Sequence, residues 1–140
     1  MDRYLVPAHG PDEEQLAVAL IGAIEASKKH SCGLTIMVPA LKYAEYTILE
    51  RIIGEKFVRN LRKGNTGNIE GVSVKMVSKR TINPFSEYGV ILSLWGGKEA
   101  LDKVDKAKSA KAIVALPWIP EDVKTWEAKW NPVVLKINQA

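Results

Sequence analysis

Three short runs of this chain are almost continuously apolar and predict strands that are covered on both faces. They are Leu34–Val38, Val90–Leu94 and Ala112–Leu116. A strand with one wet face alternates between apolar and polar residues, and these runs do not alternate. We therefore expect the three strands to lie side by side in the centre of a sheet, beneath helices on each side.

The segments between these runs show apolar residues at three- and four-residue steps, which is typical of amphipathic helices. The spacing predicts helices over residues 11–29, 42–62 and 98–108, and a last helix from residue 120 up to Pro132. Gly54 can divide the second helix, because glycine inside a helix costs about 1 kcal/mol relative to alanine. Strands that alternate with helices indicate an α/β layered fold.

Three further strands are predicted, and one connection leaves their direction open. Residues 4–6 form a short strand, residues 72–79 alternate with one wet face that includes Lys75, and residues 133–137 form an edge strand. The connection over 80–87 is too short for the usual helical crossover between parallel strands. Either the two strands that flank it are antiparallel, or the connection crosses over the end of the sheet.

These elements predict one α/β domain over residues 1–140. The expected architecture is a three-layer sandwich around a mostly parallel sheet of about five to six strands, with a mixed sheet as the alternative. The general pattern resembles the Rossmann-like and flavodoxin-like classes. No particular family is indicated.

The composition is that of an ordinary globular protein and excludes few functions. Of 140 residues, 46% are hydrophobic and 26% are charged, and the net charge is +4. No apolar run has the length that a membrane span needs, so we expect no membrane partner. Cys32 is the one cysteine, so no intramolecular disulfide can form, which fits a reducing, cytoplasmic setting. We expect Cys32 itself to be a buried, inert thiol.

In open α/β sheets, ligands bind beyond the carboxyl ends of the strands, where the strand order reverses. The residues that follow the predicted strands give the candidate ligand-binding set: His9, Gly10, Lys42, Gly96, Gly97, Lys98 and Trp118. A glycine pair lets the backbone approach a ligand, and the helix start beside it favours an anion. The predicted ligand is therefore a small, nucleotide-like anion. The competing interpretation is a tight strand-to-helix turn with Lys98 in solvent.

The chain carries no catalytic motif. It lacks the glycine-rich nucleotide fingerprints and the G-x-S-x-G elbow, so an enzyme is neither indicated nor excluded, and no cofactor is assigned. His9 with Asp12 or Glu13 could act as an acid–base pair, although a loop histidine bonded to a backbone carbonyl is the commoner arrangement. His30 suits the end of a helix. One cysteine and two separated histidines give no metal-ligand spacing.

Basic residues concentrate between positions 51 and 80. This region holds eight lysines and arginines against two glutamates. Such an excess is one signature of a polyanion partner, and it makes nucleic acid an alternative ligand. The residues that would carry it are Arg59, Arg62, Lys63, Lys79 and Arg80. A solvated charged face is the competing interpretation.

The four tryptophans all lie in the last third of the chain, and Trp126 and Trp130 share one helix face. Tryptophan is favoured at interfaces, where one ring edge stays wet. The alternative is that the last helix packs on the sheet. Our leading hypothesis is a small, non-catalytic module that binds a protein partner or itself, through an edge strand or through the Trp126/Trp130 helix.

Overall fold

A computed structural model of the chain describes residues 1–7, 12–39, 46–78, 82, 88–95, 97–107, 109–117 and 120–135. The strands are β1 (Asp2–Leu5), β2 (Leu34–Val38), β3 (Gly67–Ile69), β4 (Val72–Ser78), β5 (Val90–Leu94), β6 (Ala112–Leu116) and β7 (Val133–Val134). The helices are α1 (Glu13–His30), α2 (Tyr46–Ile53), α3 (Glu55–Arg62), α4 (Lys98–Asp105) and α5 (Lys124–Trp130), the last entered through a 3-10 turn over Pro120–Val123.

The strands form one mixed sheet in the order β3-β4-β2-β5-β6-β1-β7. All neighbours pair in parallel except β3, which is antiparallel to β4. The chain is therefore α/β with a seven-stranded sheet, and the prediction of five to six strands was too low. The order is neither the Rossmann nor the flavodoxin order, so the likeness to those classes stays at the level of the α/β class.

The strand that the sequence did not predict is β3. It lies in a segment rich in glycine and asparagine, a composition that is typical of loops, and it has only three residues. Glu70 and Gly71 connect it to β4 with φ angles of 50° and 85°. Two positive φ angles in a two-residue connection are typical of the hairpin turn whose twist matches the strands.

The three apolar runs are adjacent, as predicted. Strands β2, β5 and β6 are consecutive in the sheet, and every residue in them is buried. Because β4 and β5 both pair with β2 in parallel, they run in the same direction. The antiparallel alternative for these two strands is therefore wrong, and the connection between them returns past β2 to the other end of the sheet.

Helices cover the sheet on both faces. On the first face, α1, α2 and α3 pack through residues such as Leu16, Leu49 and Val58. On the second face, α4 and α5 pack through residues such as Leu101 and Trp126. The direction of travel along the sheet reverses at the connection from β4 to β5, and the helices after that connection cover the second face, as expected when every crossover has the same hand.

The helix boundaries follow from local chemistry. The Asp12 side chain accepts a hydrogen bond from the Gln15 amide at the start of α1, and Ser31 ends α1 in the left-handed conformation. Gly54, at φ 97°, separates α2 from α3 as the sequence predicted. The predicted helix start at residue 42 lies outside the described residues.

Candidate functional site

Among the connections that the structure describes, the carboxyl ends of the strands offer two points at which neighbouring connections leave for opposite faces. One lies between β2 and β5, since β2 leads to α2 on the first face and β5 leads to α4 on the second. The other lies between β6 and β1. Strand β6 separates β1 from β5, so the segments that follow β1 and β5 do not flank one reversal point, as a Rossmann-like order would require.

Most of the predicted anion site falls outside the described residues, namely His9, Gly10, Lys42, Gly96 and Trp118. Gly97 and Lys98 are described, and both are exposed at the start of α4. An Asp122 carboxylate oxygen lies 3.9 Å from the point that a Cβ atom on Gly97 would occupy. A carboxylate at the positive end of a helix competes with an incoming anion. The anion site at this end of the sheet stays a prediction.

The basic region is partly neutralised by nearby acids. Arg59 pairs with Glu55 at 2.9 Å, and Arg51 lies 3.8 Å from Glu13. Lys63 is exposed at the end of α3. Of the other predicted nucleic-acid residues, Arg62 closes α3 and also has a partner, whereas Lys79 and Arg80 lie outside the described residues. Exposed pairs of this kind reduce the local charge that a polyanion would meet.

The two tryptophans of α5 have different environments. Trp126 is 5% exposed and belongs to the second-face core, so its role is the packing of α5 on the sheet. Trp130 is 37% exposed. Both indole N–H groups donate to Asp105, at 3.0 Å to Oδ1 and 3.2 Å to Oδ2. Only Trp130 therefore retains the exposure that an interface residue needs.

Asp105 also forms an ion pair with Arg3 in β1. It therefore connects three elements, a role that the sequence did not predict. Arg3 Nε lies 3.3 Å from Asp105 Oδ1, and the Arg3 guanidinium carbon lies 3.5 Å from the centre of the Trp130 ring. This stacking is a cation–π contact. One carboxylate thus joins β1, α4 and α5. A single acid at the end of a helix has no sequence signature, so no pattern could have revealed this role.

The outer edge of β7 is apolar. Strand β7 is an outermost strand of the sheet, and both of its residues are apolar and exposed, Val133 at 59% and Val134 at 39%. The amide of Leu135 donates to the carbonyl of Leu5 at 2.8 Å. Since successive residues of a strand point their backbone groups to opposite sides, Val134 turns its N–H and C=O away from β1. We call Trp130, Val133 and Val134 the β7 surface.

His30 lies at the end of α1 as predicted, whereas Cys32 is less buried than predicted. His30 Nε2 lies 3.0 Å from Asp2 Oδ2, so it ties β1 to the end of α1 as well as closing the helix. The hydrogen bonds from His30 and Lys29 lower the pKa of Asp2 below its ordinary value. Cys32 is half-buried rather than fully buried, and this burial raises the pKa of its thiol. Little thiolate therefore forms at neutral pH.

The residues placed in the structure include no group of three histidine, cysteine, aspartate or glutamate side chains arranged for a metal ion. Within the same residues, no helix combines the length and the apolar character needed to cross a bilayer.

Comparison of the chain with protein-family models, with curated proteins and with solved structures found no match.

Proposed function

We propose that this chain is a small, non-catalytic α/β module that binds an extended segment of another protein chain along β7. The observation that carries the proposal is the exposure of Val133 and Val134 at the edge of the sheet. Natural edge strands are usually protected from pairing by charged residues, prolines or bulges. The edge of β7 instead presents two valines together with the outward backbone groups of Val134.

Trp130, the third residue of the β7 surface, also favours a binding role. It lies three residues before β7 and keeps 37% of its surface exposed while its N–H is held by Asp105. A tryptophan with a fixed ring orientation loses little conformational entropy when a partner covers it, which is one reason that tryptophans dominate binding energy. The other edge strand, β3, is polar by contrast, with Asn68 exposed at its centre.

A second copy of the chain is the partner that this edge suits best. A two-fold axis brings the same patch of each copy together, so valine meets valine across the axis. Antiparallel pairing would let Val134 exchange both backbone hydrogen bonds with the identical residue of the other copy. Because β7 has only two residues, the interface is small, and we expect weak, concentration-dependent association.

Sedimentation velocity over a wide concentration range tests this proposal. We expect the wild-type chain to form dimers at high concentration and the Val134→Pro variant to stay monomeric. Proline at this position removes an N–H that β1 does not use, which natural edge strands tolerate. Val133→Lys should also abolish the dimer, because it places a charge on the apolar edge.

The matched control is Asn68→Lys, which adds the same charge at an exposed position of the opposite edge strand. Its dimerisation should equal that of the wild type. A wild-type chain that sediments as a monomer at every concentration, or an equal loss in the Asn68→Lys variant, contradicts pairing of two copies through β7.

A further inference from the structure

The guanidinium group of Arg3 and the indole ring of Trp130 are stacked, although they come from elements far apart in the sequence. Strand β1 directs Arg3 to the second face of the sheet, because Leu5 belongs to the second-face core whereas Tyr4 packs against the first-face core. Helix α5 lies on the same face and carries Trp130 one turn after Trp126. The fold therefore brings the arginine to the tryptophan.

Two contacts constrain the Trp130 ring in different directions. Asp105 Oδ2 accepts a hydrogen bond from the indole N–H at 3.2 Å, which fixes the edge of the ring. The guanidinium carbon of Arg3 lies 3.5 Å from the ring centre, which fixes the plane of the ring. A hydrogen bond alone would let the ring turn about the line from N–H to oxygen, and the stack removes that freedom.

Arg3 is itself held in place by Asp105. Its Nε atom lies 3.3 Å from Asp105 Oδ1, the oxygen that also accepts from the N–H of the buried Trp126 at 3.0 Å. A planar guanidinium donates from its edge while it stacks by its face, whereas an ammonium group has no face to stack. Arg3 is therefore anchored to the core through Asp105 while it supports Trp130.

Trp130 offers surface to a partner, whereas Arg3 and Asp105 offer very little. Trp130 is 37% exposed, and the side chains of Arg3 and Asp105 are 12% and 16% exposed. A partner that covers the β7 surface meets a ring whose orientation is set before binding. Binding then avoids the cost of immobilising a side chain, which is equivalent to about two- to tenfold in affinity.

We infer that Arg3 is a positioning residue for binding at the β7 surface: it holds the Trp130 ring in the orientation that the partner covers and supplies almost no contact area of its own. This inference rests on the proposed function, with a second copy of the chain as the partner. It adds a requirement that the exposed residues alone do not reveal, since a nearly buried arginine of β1 determines the affinity.

The charges beside Trp130 make the sign of the effect informative. Arg3 and Lys129 bring cations to 3.5 and 4.8 Å from the ring centre, and Asp105 accepts from the indole N–H. These three groups sum to +1 in each copy, so charge alone predicts stronger pairing of two copies when either cation is removed. Positioning predicts weaker pairing when Arg3 is removed and no weakening when Lys129 is removed.

Arg3→Met and Lys129→Met form a matched pair for sedimentation velocity. Each removes one cation beside the ring, but only Arg3→Met removes the stack. We expect Arg3→Met to weaken the dimer by about two- to tenfold for each of its two surfaces, which multiply to about four- to a hundredfold. Lys129→Met should dimerise at least as well as the wild type. An undiminished dimer in Arg3→Met, or equal weakening by both changes, would overturn the positioning role.

Trp130→Ala shows whether Arg3 acts through Trp130. In a chain that lacks the indole, Arg3→Met should change dimerisation by less than about twofold, because the ring that it holds is gone. A loss as large as in the wild-type background contradicts the inference and assigns Arg3 to the stability of β1. Asp2→Asn is the control for the strand, since it removes ion pairs of β1 with α1, and it should dimerise like the wild type.

A measurement on the monomer separates this inference from the proposed function. NMR relaxation of the Trp130 indole N–H, assigned by its loss in Trp130→Phe, reports how rigidly the ring is held. We expect an order parameter of about 0.85 in the wild type and below about 0.6 in Arg3→Met. An unchanged order parameter rules out the positioning role even where dimers form. A wild-type chain that never dimerises refutes the proposed function instead, and the inference about binding falls with it.

Discussion

The indole N–H of Trp126 donates a 3.0 Å hydrogen bond to Oδ1 of Asp105, and Trp126 itself is 5% exposed. A buried indole N–H needs such an acceptor, since an unmade hydrogen bond in the interior is costly. The acceptor here is the last residue of α4. The orientation of α5 on the sheet is thus fixed by a side chain from a different helix.

Replacement of Asp105 tests this junction. We expect Asp105→Ala to lower the free energy of unfolding by about 2–3 kcal/mol, because it leaves the Trp126 N–H buried without its acceptor and removes the Arg3 ion pair. Asp105→Asn should cost less, since one acceptor oxygen remains. Urea unfolding followed by tryptophan fluorescence measures both. Asp102→Ala, at an exposed position of the same helix, is the control, and an equal effect there would contradict the assigned role.

Gly89 should tolerate alanine much less well than Gly71 does. Both have positive φ, at 68° and 85°, so alanine costs about 1–2 kcal/mol of backbone strain at either position. Only at Gly89 does the added Cβ meet a neighbour, the Gly33 carbonyl oxygen at 2.4 Å, whereas nothing lies within 4 Å at Gly71. We expect Gly89→Ala to cost at least about 1 kcal/mol more in urea unfolding. Equal losses of unfolding free energy in Gly89→Ala and Gly71→Ala would mean that β2 and β5 move apart at Gly33 and Gly89 at little cost.

The hydroxyl of Thr35 should contribute to stability although it lies in an apolar strand. Thr35→Val keeps the shape but removes the donor to the Tyr88 carbonyl, at an expected cost of about 1–2 kcal/mol. Ser27→Ala is the comparison, because Ser27 donates to the Ala23 carbonyl of its own helix, which also accepts a backbone bond. Thermal unfolding should show the larger loss for Thr35→Val. A loss no larger than that of Ser27→Ala would contradict this.

The hydrogen bonds of Asp2 should make the stability of the protein depend slightly on pH in the acidic range. Hydrogen bonds from His30 and then Lys29 hold the pKa of Asp2 below its ordinary value of 3.8. Asp2 therefore stabilises the fold above that value, and the contribution is lost as the pH falls through the folded-state pKa. The melting temperature of the wild type should exceed that of Asp2→Asn at neutral pH, and the difference should vanish in strong acid. The effect is small because Asp2 is largely solvated. A difference that persists at low pH would exclude this origin.

The sequence predicted the elements with strong hydrophobic patterns. Continuous apolar runs identified the three central strands, and three- and four-residue spacing identified the helices, since both signals arise from burial along a single element. Strand β3 gave neither signal. It pairs with β4 through the hairpin at Glu70–Gly71, and the ring of Phe57 from α3 packs closely against Gly67. A contact between distant segments leaves no local pattern.

The residues that line a candidate site were harder to predict for the same reason. The general rule for α/β sheets led to the carboxyl ends, whereas the structure also has a cavity at the amino ends of β4, β2, β5 and β6. The alternation along β4 did reveal a wet face with Lys75. What the sequence could not show is that Lys111, which precedes β6, lines the same cavity, because that depends on the strand order.

The placement of β1 between β6 and β7 has a consequence for synthesis on the ribosome. Strand β1 pairs with residues 112–115 and 133–134, which are synthesised much later than β1 itself. Until those residues are synthesised, β1 has neither of its neighbours in the sheet, so the nascent chain carries an unpaired strand over that interval. Such distant pairings slow folding. A chain interrupted before residue 112 would therefore expose β1 and become a target for chaperones and proteases.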